Sequence, residues 1–173
     1  MRGKAIITAA AALLALAAVC AWGEYVYEGE WGTPGTGNGQ LSRPCGVAIA
    51  QNGNVYVADK YNCRIQYFSP TGSYIGKWGS RGGGRGEFDH PVGVAIAPNG
   101  NVYVADTWNS LIQYFTPTGS FLGEWSRGGS TSGLRYAEGV AIAPNGNVYV
   151  ADTGNDRLRY FTATGSFLGG WGD

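Results

Sequence analysis

Three aspartates hold equal places in this chain. Asp59, Asp106 and Asp152 each close the word Asn-Val-Tyr-Val-Ala-Asp, and an asparagine follows each three residues later, at Asn62, Asn109 and Asn155. Three carboxylates set around an axis suit a metal ion or acid chemistry. Asp and Asn at a strand end also bond the backbone of the next turn, and Arg64 and Arg157 stand ready as partners in two of the three copies. That structural reading outweighs the chemical one. In the second copy Leu111 takes the arginine place, so the pair is not obligatory.

His90 is the only histidine, and its counterparts in the other copies are Arg43 and Tyr136. A catalytic zinc site takes three protein ligands, commonly several histidines, so the expectation is no metal and no cofactor. With one histidine and no nucleophile motif, neither a Ser-His-Asp nor a Cys-His arrangement can be drawn, and the catalytic set is expected to be empty. The run Gly82-Gly-Gly-Arg85-Gly86 lacks a Gly-Lys-Ser/Thr ending and opens no helix, so it reads as a link and not as a phosphate cradle. Cys45 and Cys63 fall at one end of one repeat, within reach of a disulfide if the loop after Asp59 folds back.

The elements that position these residues are repeated hairpins. Gly46 to Asp59 returns at Gly93 to Asp106 and at Gly139 to Asp152, each as two apolar runs joined across Asn-Gly, which predicts a tight type I′ hairpin. Trp31, Trp78, Trp125 and Trp171 recur at 47, 47 and 46 residues. A period of that length suits one four-stranded propeller blade. Within one period the strands are predicted at residues 93–97, 101–105, 111–115 and 120–125. They are apolar on both faces, as sheets packed around an axis are, and small residues gather in the first strand where room is least. The second hairpin turns on Thr-Gly-Ser in all three copies.

These residues carry a family resemblance. Gly-x-Gly-x-Phe-x-x-Pro-x-Gly-Val-Ala-Ile, then Asn-Gly-Asn-Val-Tyr-Val-Ala-Asp, then Asn-x-x-Ile-Gln-Tyr-Phe resembles the NHL repeat and recurs over nearly all of residues 22–173. The resemblance implies an all-β propeller, usually of six blades, that mostly serves as a binding platform; a minority resemble metal-dependent lyases and some bind RNA. This chain holds only three blades, at about 44–79, 91–126 and 137–172, with an extra strand at 24–32.

Composition narrows the function. With 44% hydrophobic residues, 14% charged and 30 glycines, the chain is a packed, turn-rich β protein. Lys and Arg number 12 against 12 Asp and Glu, and removing Arg2 and Lys4 leaves a slightly acidic remainder, a poor polyanion binder, so no nucleic-acid partner is expected. Arg2 and Lys4 precede an apolar run to Cys20, the layout of a signal peptide over residues 1–21. Export to the periplasm, cell surface or medium is the expectation, with no stable membrane span after cleavage.

A four-stranded meander places its first and third turns at one end and its second turn and the blade-to-blade link at the other. The repeats barely differ at the first end. They diverge at the second, with Tyr61, Trp108 and Gly154 at one matched position and Arg43, His90 and Tyr136 at another. Ligand contacts are therefore expected from Tyr61, Trp108, Arg43, His90, Arg135 and Tyr136. The partner expected is a protein, peptide or glycan; the alternative is an extracytoplasmic metal-dependent lyase or lactonase-like enzyme. Three blades cannot close a ring, and two bare blade faces of roughly 600 to 800 Å² each predict a homodimer of six blades or membership of a longer propeller.

Overall fold

The computed structural model describes residues 29–125 and 133–172. The expected signal segment and most of the extra strand lie outside the described residues, and the described remainder of that strand, residues 29–32, is not in a strand. Among the described residues no helix is long and apolar enough to cross a membrane.

A short parallel pair, β1 (Thr33–Pro34) with β2 (Gln40–Leu41), leads into three antiparallel sheets of four strands. The first blade is β3 (Pro44–Ile49), β4 (Val55–Asp59), β5 (Arg64–Phe68) and β6 (Tyr74–Trp78). The second is β7 (Pro91–Ile96), β8 (Val102–Asp106), β9 (Leu111–Phe115) and β10 (Phe121–Trp125). The third is β11 (Gly139–Ile142), β12 (Val148–Asp152), β13 (Arg157–Phe161) and β14 (Phe167–Trp171). Each blade runs in sequence order, so the four predicted strands per period are present.

The Asn-Gly turns correct the expectation of type I′. Of each pair only the glycine is at positive φ, +82° at Gly53 and +86° at Gly100. The Gly53 N–H donates to the Ala50 carbonyl at 2.8 Å and the Ala50 N–H to the Asn54 carbonyl at 2.9 Å. This is a type I turn followed by a left-handed glycine, the three-residue alternative. Asn52 stays out of the left-handed region because its Oδ1 accepts the Asn54 N–H at 3.0 Å, a local bond that serves the loop without inverting φ.

Blades stack through their neighbours' turns. A Cβ on Gly119 would lie 2.6 Å from the Trp78 ring and one on Gly72 2.6 Å from the Trp31 ring, while Gly165 likewise lies against Trp125. The Tyr56 hydroxyl donates to the Pro117 carbonyl at 3.0 Å, and Tyr103 does the same to Ala163 at 3.1 Å. On the axial side, Gly46 meets the backbone of β7 and Gly93 the backbone of Glu138, so glycine in the first strand permits close approach of adjacent inner strands. The middle blade is covered on both faces: Val102, Val104, Ile112 and Phe115 are fully buried. One apolar cluster, with Tyr56, Ile65, Phe88 and Val104, fills the first junction, and another, with Tyr103, Trp125, Leu134 and Val150, fills the second.

Candidate functional site

Beneath the variable end lies one repeated frame. Asp59 is fully buried; its Oδ1 accepts the Ser42 N–H at 2.7 Å, and its Oδ2 accepts Asn62 at 2.9 Å, Arg64 Nε at 2.7 Å and Gln66 at 3.0 Å. Arg64 also donates to the carbonyls of Thr36, Gly37 and Gln40, which ties the incoming link to the blade. Asp106 repeats this with the Asp89 N–H, Asn109 and Gln113, and Asp152 with the Arg135 N–H, Asn155 and Arg157. The structural reading of the three aspartates therefore holds: each locks a link to the turn beside it.

Only the middle frame lacks an arginine. Burial pushes the Asp106 carboxyl from 3.8 up to about 6, against the hydrogen bonds from Asn109, Asp89 and Gln113 that pull it down, and the nearby Asp89 charge adds to the rise.

The frame projects a ring of side chains. All six non-glycine residues at positive φ among those described come in equivalent pairs, two per blade: Arg43 and Cys63, His90 and Ser110, Tyr136 and Asp156, with φ between 46° and 57°. The first of each pair follows the residue whose N–H the buried aspartate accepts. The second ends the turn after the second strand, as Cys63 does behind the 3-10 turn Lys60–Asn62.

The predicted contact residues fall into two groups. Arg43, Tyr61, His90 and Trp108 form one continuous row: the guanidinium lies 5.1 Å from the Tyr61 ring, Tyr61 meets His90 edge-on at 5.4 Å, and His90 stacks on Trp108 at 4.0 Å. Arg135 lies 5.7 Å over Tyr136 and donates to the Gly154 carbonyl at 3.4 Å. Trp108 and Tyr136 then face a shared open depression of about 550 Å³, with Thr107 and Glu138 in its wall. Tyr61, Trp108 and Tyr136 are all about half exposed.

The expected disulfide is corrected. Both cysteines are free: Cys63 is buried in the first junction, whereas Cys45 is exposed and lies 3.6 Å from the Arg43 carbonyl. A register irregularity between Pro44 and Val47 reorients the strand there, and the left-handed Cys63 sends its thiol inward. Sequence reasoning placed Cys63 at this end only as a disulfide partner and did not single out Asp89. The signal available was alignment between repeats, where Cys63 stands in line with Ser110 and Asp156, and Asp89 with Ser42 and Arg135.

Comparison with known proteins follows the same register. The NHL-repeat family model matches residues 41–68, 88–115 and 134–161. The chain carries three NHL repeats. Over 45 residues, 26% of the chain, it is 47% identical to the E3 ubiquitin-protein ligase TRIM71 of Rattus norvegicus and 44% identical to Protein lin-41 of Caenorhabditis elegans, spanning 5% and 4% of those proteins. Two solved structures share the fold. Virginiamycin B lyase from Staphylococcus aureus aligns with 72% of this chain and 40% of its own at a TM-score of 0.55 and 17% identity. Kuenenia stuttgartiensis hydrazine synthase aligns with 84% and 38% at 0.61 and 16%. The three NHL repeats are thus three blades of a β-propeller.

Proposed function

We propose that this NHL protein is exported and that its variable end binds a protein, peptide or glycan, with Trp108 and Tyr61 as anchors and Arg43, His90, Arg135 and Tyr136 around them. The observation that supports the binding reading is that three of these contact residues, Arg43, His90 and Tyr136, are held in the left-handed region beside the half-exposed rings of Tyr61 and Trp108. Each bulky residue held there costs about 1 kcal/mol that glycine would avoid, and such strain gathers where it serves binding. Half-exposed aromatics beside arginines are the residue types that dominate binding hot spots. The test is a peptide and glycan array, followed by titration of any ligand found. Trp108→Ala should weaken binding by roughly thirtyfold, about 2 kcal/mol, and leave the melting temperature nearly unchanged. Lost stability with retained affinity would make Trp108 a packing residue and refute the assignment.

We further propose that two copies complete a six-bladed ring. Trp171 is 57% exposed where its counterpart Trp125 is 9% exposed, so the outer face of the third blade is uncovered. Within the chain, left-handed residues meet across a junction: the Tyr136 N–H donates to Ser110 Oγ at 3.3 Å. The same geometry at a closing junction pairs Asp156 with Arg43 of a second copy, opposite charges on two exposed ends. Trp31 already fills the slot at Gly72 that Trp171 of the second copy would enter, so closure requires Trp31 to vacate it. Light scattering should give twice the chain mass, and Trp31→Ala should favour the dimer. A monomer at micromolar concentration for both proteins would refute closure.

A further inference from the structure

The first junction brings together three donors that no single repeat contains. The Cys63 thiol, an Asp89 carboxylate oxygen and a ring nitrogen of His90 all lie within 4.8 Å of one another. They come from two blades: Cys63 ends the turn after β4 in the first, and Asp89 and His90 sit in the link that opens the second. From these residues we infer a zinc site at the first blade junction, holding one ion per chain.

Each donor is held before any metal arrives. The Asp89 backbone is fixed on both sides, its N–H to Asp106 Oδ1 at 2.8 Å and its carbonyl to the Trp108 N–H at 3.1 Å. His90 is clamped between the Trp108 face and the Tyr61 edge, with Nδ1 at 2.7 Å from Asp89 Oδ1. Cys63 is 3% exposed, packed among the residues of the first apolar cluster. Such anchoring is what outer partners supply around a metal: they fix ring orientation and limit solvent.

The donor types choose the metal. Calcium and magnesium take oxygen ligands, whereas thiolate with imidazole suits zinc, which also accepts a carboxylate. Tetrahedral zinc needs its donors about 3.3 to 3.8 Å apart, so the His90–Asp89 contact at 2.7 Å must open and the widest pair, within 4.8 Å, must close, each by about an ångström and within reach of side-chain rotation. The Cys63 proton leaves to solvent on binding, and the imidazole keeps its proton on the nitrogen turned away from the ion. Three protein ligands leave a fourth position for water. The second junction has Ser110, Arg135 and Tyr136 at the matching places and offers no such set, so the stoichiometry is one.

The site shares His90 with the contact row proposed above, but its test uses the metal alone and reads out without any ligand of the variable end. The full chain, stripped with a chelator and kept reduced, is titrated with zinc against a chromogenic chelator and separately with cobalt. The expected result is one equivalent of either ion, with an intense thiolate-to-cobalt absorption band. Cys63→Ser and His90→Asn should each weaken zinc binding by about a hundredfold or more, and Cys63→Ser should abolish the band. Cys45→Ser should change neither. Asn tolerates the left-handed backbone, so His90→Asn decides the matter if Cys63→Ser fails to fold. No stoichiometric uptake, uptake without the band, or uptake unchanged by His90→Asn overturns the site.

Discussion

At the hairpin end of the blades, Gly53, Gly100 and Gly146 hold φ near +84° and Gly72, Gly119 and Gly165 hold φ between +83° and +92°. At the link end, the paired left-handed positions carry Arg43, Cys63, His90, Ser110, Tyr136 and Asp156 instead. The backbone demand is the same and the solutions are opposite. Where a turn only needs to close and a neighbour's tryptophan presses against it, glycine is the residue that fits. Where the turn presents a surface, the chain keeps side chains and meets the strain with a buried carboxylate frame below. The difference teaches that one end of this propeller is specified by packing, whereas at the other, Cys63 apart, the left-handed residues keep side chains that are at least partly exposed.

The largest effect should come from cutting the frame. Asp59→Ala leaves the buried Arg64 without its carboxylate and frees the Ser42 N–H, Asn62 and Gln66, a loss of roughly 3 to 5 kcal/mol in urea unfolding. A cost below about 1 kcal/mol would mean that the link end does not depend on its buried carboxylates.

The middle frame sharpens the point through pH. The Asp106 carboxyl titrates near 6 in the folded chain and near 3.8 ordinarily, so between those values the native state binds more protons than the unfolded state. Stability from this group should therefore rise as pH falls through that window, by up to about 3 kcal/mol. Leu111→Arg supplies the cation that the other two frames possess and should flatten the rise, as measured by denaturant midpoints across the window. An unchanged slope would remove Asp106 as its source.

A smaller pair of changes compares the two ends directly. Gly119→Ala puts a methyl group against the Trp78 ring at φ +91° and should cost about 2 kcal/mol. Ser110→Gly, at φ 57°, gives up the 3.3 Å bond from the Tyr136 N–H but relieves the left-handed strain, and should be within about 1 kcal/mol of neutral. If both substitutions destabilise alike, the contrast between the ends is lost.

Much of this architecture was legible along the chain. Residues 111–115 were predicted as a strand and β9 (Leu111–Phe115) is that strand, because a short apolar run bounded by turn residues is a local signal. The partnership of Asp59 with Asn62 and Arg64 was equally local, since all three lie on one turn. Even the division into a constant and a variable end follows from strand count and repeat comparison. The turn type was misread because Asn-Gly serves two hairpin geometries, and loop length across the strand pairing decides between them.

What only the tertiary structure decided is which residues meet across a junction. Cys63 is 26 residues from Asp89, and nothing between them in the sequence fixes their approach. The angle between blades does, set by Gly46 against β7 and by Trp78 under Gly119. The same stacking seats Trp31 in the slot at Gly72 and leaves Trp171 exposed, although the two tryptophans are equivalent in the repeat. Local pattern determines each blade because its hydrogen bonds close within about 40 residues. Contacts between blades depend on how those finished sheets pack, and packing is a property of three-dimensional shape that no single repeat contains.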